Sequence, residues 1–192
     1  MPVVSGSNSG DLAEALAAEL GWEHHPLEAR RFPDSEGYVR IPSHSIDAVR
    51  SEPVVIVATT FPDSGIVEAL LMLEAVHDVR SGDLRNLKGE GPEVLEASGP
   101  GIFLAVPYFG YSRQDKRFQG GEVISAALIV KLLAEHLDGL IVLDLHAPKV
   151  LEGLQTPVAF VSAMPEIADH LREQVHPDFI LSPDKGAIER AS

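Results

Sequence analysis

The stretch VVIVATTFPDSGIVEALLMLEAVHDVR, residues 54–80, decides the fold. It opens on VVIVATT (54–60), a β-branched apolar run of strand length flanked by Pro53 and Pro62. It closes on GIVEALLMLEAVHDVR (65–80), whose apolar residues recur at helical spacing. A strand that is apolar at nearly every position is buried on both faces. Such a strand feeding a helix is the repeating unit of a parallel sheet.

The same alternation extends on either side. GDLAEALAAEL (10–20) predicts a helix closed by Gly21 as its C-cap. GIFLAVP (101–107) and GLIVLDLH (139–146) read as strands. Between them VISAALIVKLLAEHL (123–137) reads as a helix with Ile124, Leu128 and Leu132 on one face. MPEIADHLREQV (164–175) predicts a helix with Pro165 in its first turn, and FILSP (179–183) a last strand. Residues 22–42 are polar and turn-rich and predict an extended flap or hairpin; residues 81–100 read as a polar insertion. The expected class is α/β, a parallel sheet with helices on both faces. APKVLEGLQTP (147–157) interrupts the alternation, so a boundary is expected near 148–157.

Composition narrows the function classes. The 192 residues carry 15 basic and 29 acidic side chains, a net charge of −14. Hydrophobic residues make up 45%, which supports a globular core. No apolar run reaches the roughly 18 residues of a membrane span, and MPVVSGSNSG lacks the pattern of a signal peptide. There is no cysteine, hence no disulfide, thiolate zinc site or cysteine nucleophile. The expectation is a soluble cytoplasmic protein with no membrane partner. The acidity argues against nucleic acid, whose phosphates need a basic face, but leaves room for a small anion at a local positive patch. P-loop, GxGxxG and GxSxG motifs are missing.

Open parallel sheets bind ligands beyond the carboxyl ends of their strands. There PYFGYSRQDKRFQGGE (107–122) sets Arg113, Lys116 and Arg117 within five positions, beside Tyr108, Phe109 and Tyr111. Arginine and lysine hold phosphates; aromatic rings and Gln114 hold a base by stacking and amide hydrogen bonds. Asp115 suits a cation or a ribose hydroxyl. The competing reading is a solvated loop with its charges paired locally. Asp144 and His146 are two apart, on one face of an extended strand. His146 offers an imidazole nitrogen to a divalent cation, or is structural; Asp144 suits a buried hydrogen-bonded group. Asp184, before KGAIERA, suits a helix N-cap as well as a cation ligand.

Taken in order, RFPDSE (31–36), PYFGYSRQDKRFQGGE (107–122), LDLHAP (143–148) and SPDKGAIERA (182–191) resemble the ribose-phosphate pyrophosphokinases, also called phosphoribosyl pyrophosphate synthetases, of archaeal type. SGSNSGDLAEALAAELG (5–21) and TTFPDSGIVEALLMLEAV (59–76) fit the same pattern. The resemblance implies transfer of a diphosphoryl group from ATP to the 1-hydroxyl of ribose 5-phosphate, giving phosphoribosyl pyrophosphate and AMP. It implies tandem phosphoribosyltransferase-like domains, here 1–150 and the start of a second at 151–192. It also implies a magnesium requirement and a homo-oligomer whose ATP sites are shared between subunits. Carried over by position, Phe32, Asp34, Ser35 and Glu36 belong to a flap that reaches the adenine of a neighbouring subunit's nucleotide. Arg113 and Gln114 hold the nucleotide with Asp115 nearby, and His146 and Asp184 are magnesium ligands.

Two positions depart from the family pattern where it has glycine: Ser35 follows Asp34, and Ala187 follows Gly186. The family's catalytic lysine loop and TGGT-like ribose 5-phosphate loop do not occur in these residues. The expectation is an N-terminal portion of such an enzyme, carrying the ATP side and inactive alone. The alternative is a non-catalytic nucleotide-binding regulatory subunit that associates with a full-length synthetase.

Overall fold

The structure, a computed structural model, describes residues 1–82, 99–135 and 137–182. The chain divides into two compact units, Met1–Phe160 and Val161–Ser192. Leu151, expected to open the second part, is buried in the first unit's core.

The first unit is built on a six-stranded sheet. Its strands are β1 (Pro2–Ser5), β2 (Glu23–Pro26), β5 (Val54–Val57), β6 (Ile102–Val106), β7 (Gly139–Leu143) and β8 (Val158–Val161), in the spatial order β2-β1-β5-β6-β7-β8. The β1–β2, β1–β5, β5–β6 and β6–β7 pairings are all parallel. A separate antiparallel hairpin joins β3 (Glu28–Arg31) to β4 (Gly37–Arg40). It is the hairpin expected in residues 22–42.

Period-two alternation divides the strand residues between two cores. Val54 and Ile56 of β5 face one core, with Ile102 and Leu104 of β6 and Leu140 and Val142 of β7. Helices α2 (Ile46–Ser51), α3 (Asp63–Ser81) and α4 (Ser125–Ala134) cover that face through Val49, Met72, Leu73 and Leu133. Val55 and Val57 face the other way with Val3, against Ala13 and Ala17 of α1 (Gly10–Leu20). Helices on both faces are therefore present, as the all-apolar strands required. Gly21 ends α1 at φ 65°, where it works as the expected cap.

Several boundaries moved. Leu128 and Leu132 of α4 are exposed, and the buried face is instead Ala126, Ile129, Val130 and Leu133. Within the second unit, α5 (Met164–His170) gives way to a wide π turn at Leu171–Val175, so the expected helix 164–175 is regular only in its first half. The expected strand at 179–183 does not form over 179–182; Phe179 is 86% and Leu181 89% exposed. An apolar run becomes a strand only when a neighbour takes its backbone hydrogen bonds, and no strand pairs with it among the described residues. Most of the 81–100 insertion lies outside the described residues.

Arg80, read as part of an apolar helix, is 9% exposed. Its guanidinium donates to the carbonyls of Val49 (3.1 Å), Glu52 (2.9 Å) and Pro100. Burial lowers its pKa, partly offset by the charge of Asp138. It ties the end of α3 to the segments that enter β5 and β6.

Candidate functional site

The chain runs from β1 out to β2, then returns to β5 on the other side of β1. This reversal leaves a crevice at the carboxyl ends of β1 and β5, where ligands enter such sheets. Ser7, in the SGSNSG turn after β1, donates its backbone N–H and its hydroxyl to Glu68 of α3, both at 2.6 Å. Sequence reasoning placed no strand at 2–5 and therefore missed this contact.

The open part of the rim lies beyond β6 and β7. Their register, Phe103↔Gly139 to Val106↔Val142, sends both following loops off the same edge. The loop after β6 is bolted to the one after β5. Thr59 Oγ1 donates to Tyr108 O at 3.1 Å, and Gly110 N–H donates to Thr60 Oγ1 at 2.7 Å. The two threonines thus serve as anchors between the loops; Thr60 is fully buried. A Cβ on Gly110 would sit 2.3 Å from the Thr60 carbonyl oxygen, so only glycine allows this approach.

The aromatics of the loop divide. Phe109 is 3% exposed and belongs to the core. Tyr108 is exposed and meets Phe61 edge-on, with centroids 5.7 Å apart. Tyr111 is exposed and its hydroxyl donates to Asp63 at 2.6 Å, which pushes its pKa up. Farther along, Phe118 N–H (2.6 Å) and Gln119 N–H (3.0 Å) donate to the Glu122 carboxylate. Those two bonds hold Glu122 below the usual carboxylate range. Arg117 Nε donates to Glu122 O, and the Gln114 amide to Lys116 O. Local pairing, the bland reading of this loop, therefore accounts for Arg117 and Glu122.

It does not account for Arg113. This residue is exposed, and no hydrogen bond or ion pair engages it among the described residues. Asp115 is half-buried beside it. His146 is exposed just past β7. The strand ends at Leu143 because Asp144 turns to φ 44°, so Asp144 and His146 do not share an extended face as expected. Among the described residues no three His, Asp or Glu side chains converge as a metal cage. Magnesium, however, is often held by one or two protein groups plus phosphates and water. A single exposed His146 does not make such a site alone but is compatible with a cation held largely by phosphates and water. Asp184 lies outside the described residues.

At the hairpin, Phe32, Pro33, Asp34, Ser35 and Glu36 form an exposed tip. Phe32 and Glu36 close it (Phe32 N to Glu36 O, 2.9 Å), and Arg31 Nη1 donates to Ser35 O at 2.8 Å. Asp34 Oδ1 accepts from Glu36 N–H at 3.2 Å. Ser35 adopts φ 75°, the region that the family's glycine would occupy without strain.

Comparison with known proteins shows the family. The model of the N-terminal domain of ribose phosphate pyrophosphokinase matches residues 1–83 and 93–136. The chain belongs to the ribose-phosphate pyrophosphokinase family. The Methanothermobacter thermautotrophicus ribose-phosphate pyrophosphokinase is 36% identical over 191 residues, covering 98% of this chain and 59% of that protein. The Saccharolobus solfataricus enzyme is 34% identical over 194 residues, covering 100% of this chain and 59% of its own. In fold, the chain is similar to the phosphoribosylpyrophosphate synthetase of Mycobacterium smegmatis, with a TM-score of 0.73 at 24% identity over 99% of this chain and 58% of that one. The chain thus spans about 59% of the length of its ribose-phosphate pyrophosphokinase relatives. The matched domain contains the hairpin tip and Arg113–Asp115 but stops short of His146.

Proposed function

We propose that the protein to which this chain belongs is a ribose-phosphate diphosphokinase and that this chain carries its nucleotide side. The 1-hydroxyl oxygen of ribose 5-phosphate attacks the β-phosphorus of ATP. The bond from that phosphorus to the α,β-bridging oxygen breaks, AMP leaves, and phosphoribosyl pyrophosphate forms. Phosphoryl transfer of this kind depends on positioning and charge neutralisation more than on covalent help. The observation that carries the proposal is the unpartnered Arg113 at the carboxyl rim, on a loop whose other ends are bolted down. A fixed loop presents a free guanidinium at a set place, and a guanidinium matches phosphate oxygens in pairs.

In this reading Gln114 and Asp115 hold the nucleotide beside Arg113, and His146 with Asp184 touches magnesium brought in as MgATP. The cation neutralises charge on the phosphate oxygens. The exposed tip of Phe32, Asp34, Ser35 and Glu36 receives the adenine of a neighbouring copy's nucleotide, which makes a homo-oligomer the working unit. The first unit, Met1–Phe160, and the residues that follow it then belong to successive phosphoribosyltransferase-like domains. In this reading the enzyme works in the cytoplasm, on two small phosphorylated metabolites.

The test is release of AMP from ATP and ribose 5-phosphate by the full-length protein. Magnesium-dependent release supports the proposal; a full-length protein that binds ATP without turnover favours the regulatory subunit. Arg113→Ala is expected to weaken ATP binding by about 1.5–3 kcal/mol, the usual contribution of a charged hydrogen bond. Unchanged affinity by calorimetry removes Arg113 from the site.

A further inference from the structure

We infer that Arg30 is a positioning residue that sets the Phe32 ring for the nucleotide base. The inference rests on the proposed role of the hairpin tip. Arg30 and Tyr38 are directly opposite in the β3–β4 register, so their side chains share a face. Phe32 lies two residues on from Arg30, toward the same side. The three side chains form one cluster. The Arg30 guanidinium carbon sits 4.2 Å from the Tyr38 ring centroid and 4.7 Å from that of Phe32. The two rings meet edge-to-face at 5.8 Å and 85°. Both cation–ring distances fall within the range of favourable cation–π contact.

A carboxylate lies near the guanidinium. Glu28, two residues back, approaches Arg30 Nε at 3.9 Å with one carboxylate oxygen and accepts from Arg40 Nε at 2.8 Å with the other. The arrangement therefore runs from β4 through Glu28 and Arg30 to the tip. Phe32 remains 39% exposed, so its ring still has surface to offer a ligand. An exposed ring at a hairpin tip otherwise samples several rotamers, and binding must then freeze one. A guanidinium over its face and a perpendicular tyrosine ring beside it remove most of that freedom beforehand. Neither Arg30 nor Tyr38 needs to touch the nucleotide for this.

The experiment uses the full-length protein and steady-state kinetics with ATP and ribose 5-phosphate. Phe32→Ala should raise KM for ATP by roughly ten-fold or more, as loss of a stacking platform does. Arg30→Met should raise it roughly five-fold, leaving kcat and KM for ribose 5-phosphate within about two-fold. Arg30→Lys, which restores the cation but not the flat group, should recover part of the loss. Adding Arg30→Met to Phe32→Ala should change nothing further. Inhibition by inorganic tripolyphosphate should be the same in Arg30→Met as in the parent. An unchanged KM for ATP in Arg30→Met, additive effects in the double variant, or weakened tripolyphosphate inhibition each overturns the inference; the last would mean that Arg30 grips phosphate directly. A silent Phe32→Ala removes the base-binding role of the tip as well, so the two failures are distinguishable. If Arg30→Met does not fold, Tyr38→Leu tests the same cluster with the same expectation: a higher KM for ATP that disappears in the Phe32→Ala background.

Discussion

Ser35 and Glu122 each hold a bend of the candidate site, by opposite means. Ser35 stands at φ 75°, a conformation that costs a residue with a Cβ about 1–2 kcal/mol. Ser35→Gly removes that strain but loosens the unfolded chain, so a net gain of up to about 1 kcal/mol is expected as a higher urea midpoint. A lower midpoint would show that the added freedom of the unfolded chain outweighs the strain relieved. Glu122 instead closes its turn by accepting two backbone N–H bonds, which lower its pKa. A lowered carboxylate pKa gives stabilisation that is complete above the unfolded value and lost as pH falls through the folded one. The Phe118 and Gln119 amide resonances should therefore shift together on acidification, with a midpoint below the roughly 4.3 of an ordinary glutamate. A midpoint above that value contradicts the clamp.

At the scale of elements, the carboxyl rim works because its loops are tied to one another. The β6 loop meets the β5 loop through Thr59, Thr60 and Gly110, with the glycine nearly touching Thr60 main chain. Gly110→Ala is expected to push the loop away and destabilise the fold by about 1–3 kcal/mol, as overpacking does. It should weaken ATP binding through Arg113 without touching the ligand. Thermal melting and calorimetry on the same sample read both effects, and a variant with parental values for each would sever the link between the bolt and the site. The helices α1 and α3 were legible because Ala, Leu and Glu recur at helical spacing across whole turns. The edges of β7 and α5 were not: β7 stops where Asp144 turns to φ 44°, and α5 passes into a π turn at Leu171, and neither residue type marks a break.

Across the whole molecule, a net charge of −14 over 192 residues implies mutual repulsion that opposes compactness. Screening shortens the reach of that repulsion to about 8 Å at physiological ionic strength. The melting temperature should therefore rise between low salt and about 0.5 M potassium chloride. A fall would mean that ion pairs such as Arg40–Glu28 outweigh the repulsion. The class of the fold, an α/β sheet covered on both faces, follows from runs such as Val54–Val57, which have no polar face to show to water. The family likewise follows from short motifs in fixed order, since each records a local chemical requirement. Tertiary structure alone decided which polar residues are spent inside. Thr60 is buried as a loop anchor and Glu68 is taken up by Ser7 beside β1, while Arg113 and His146 stay exposed. The physical reason is that hydrogen-bond partners far apart in the chain meet only once the sheet order is set, and a side chain's type does not say whether it will find one.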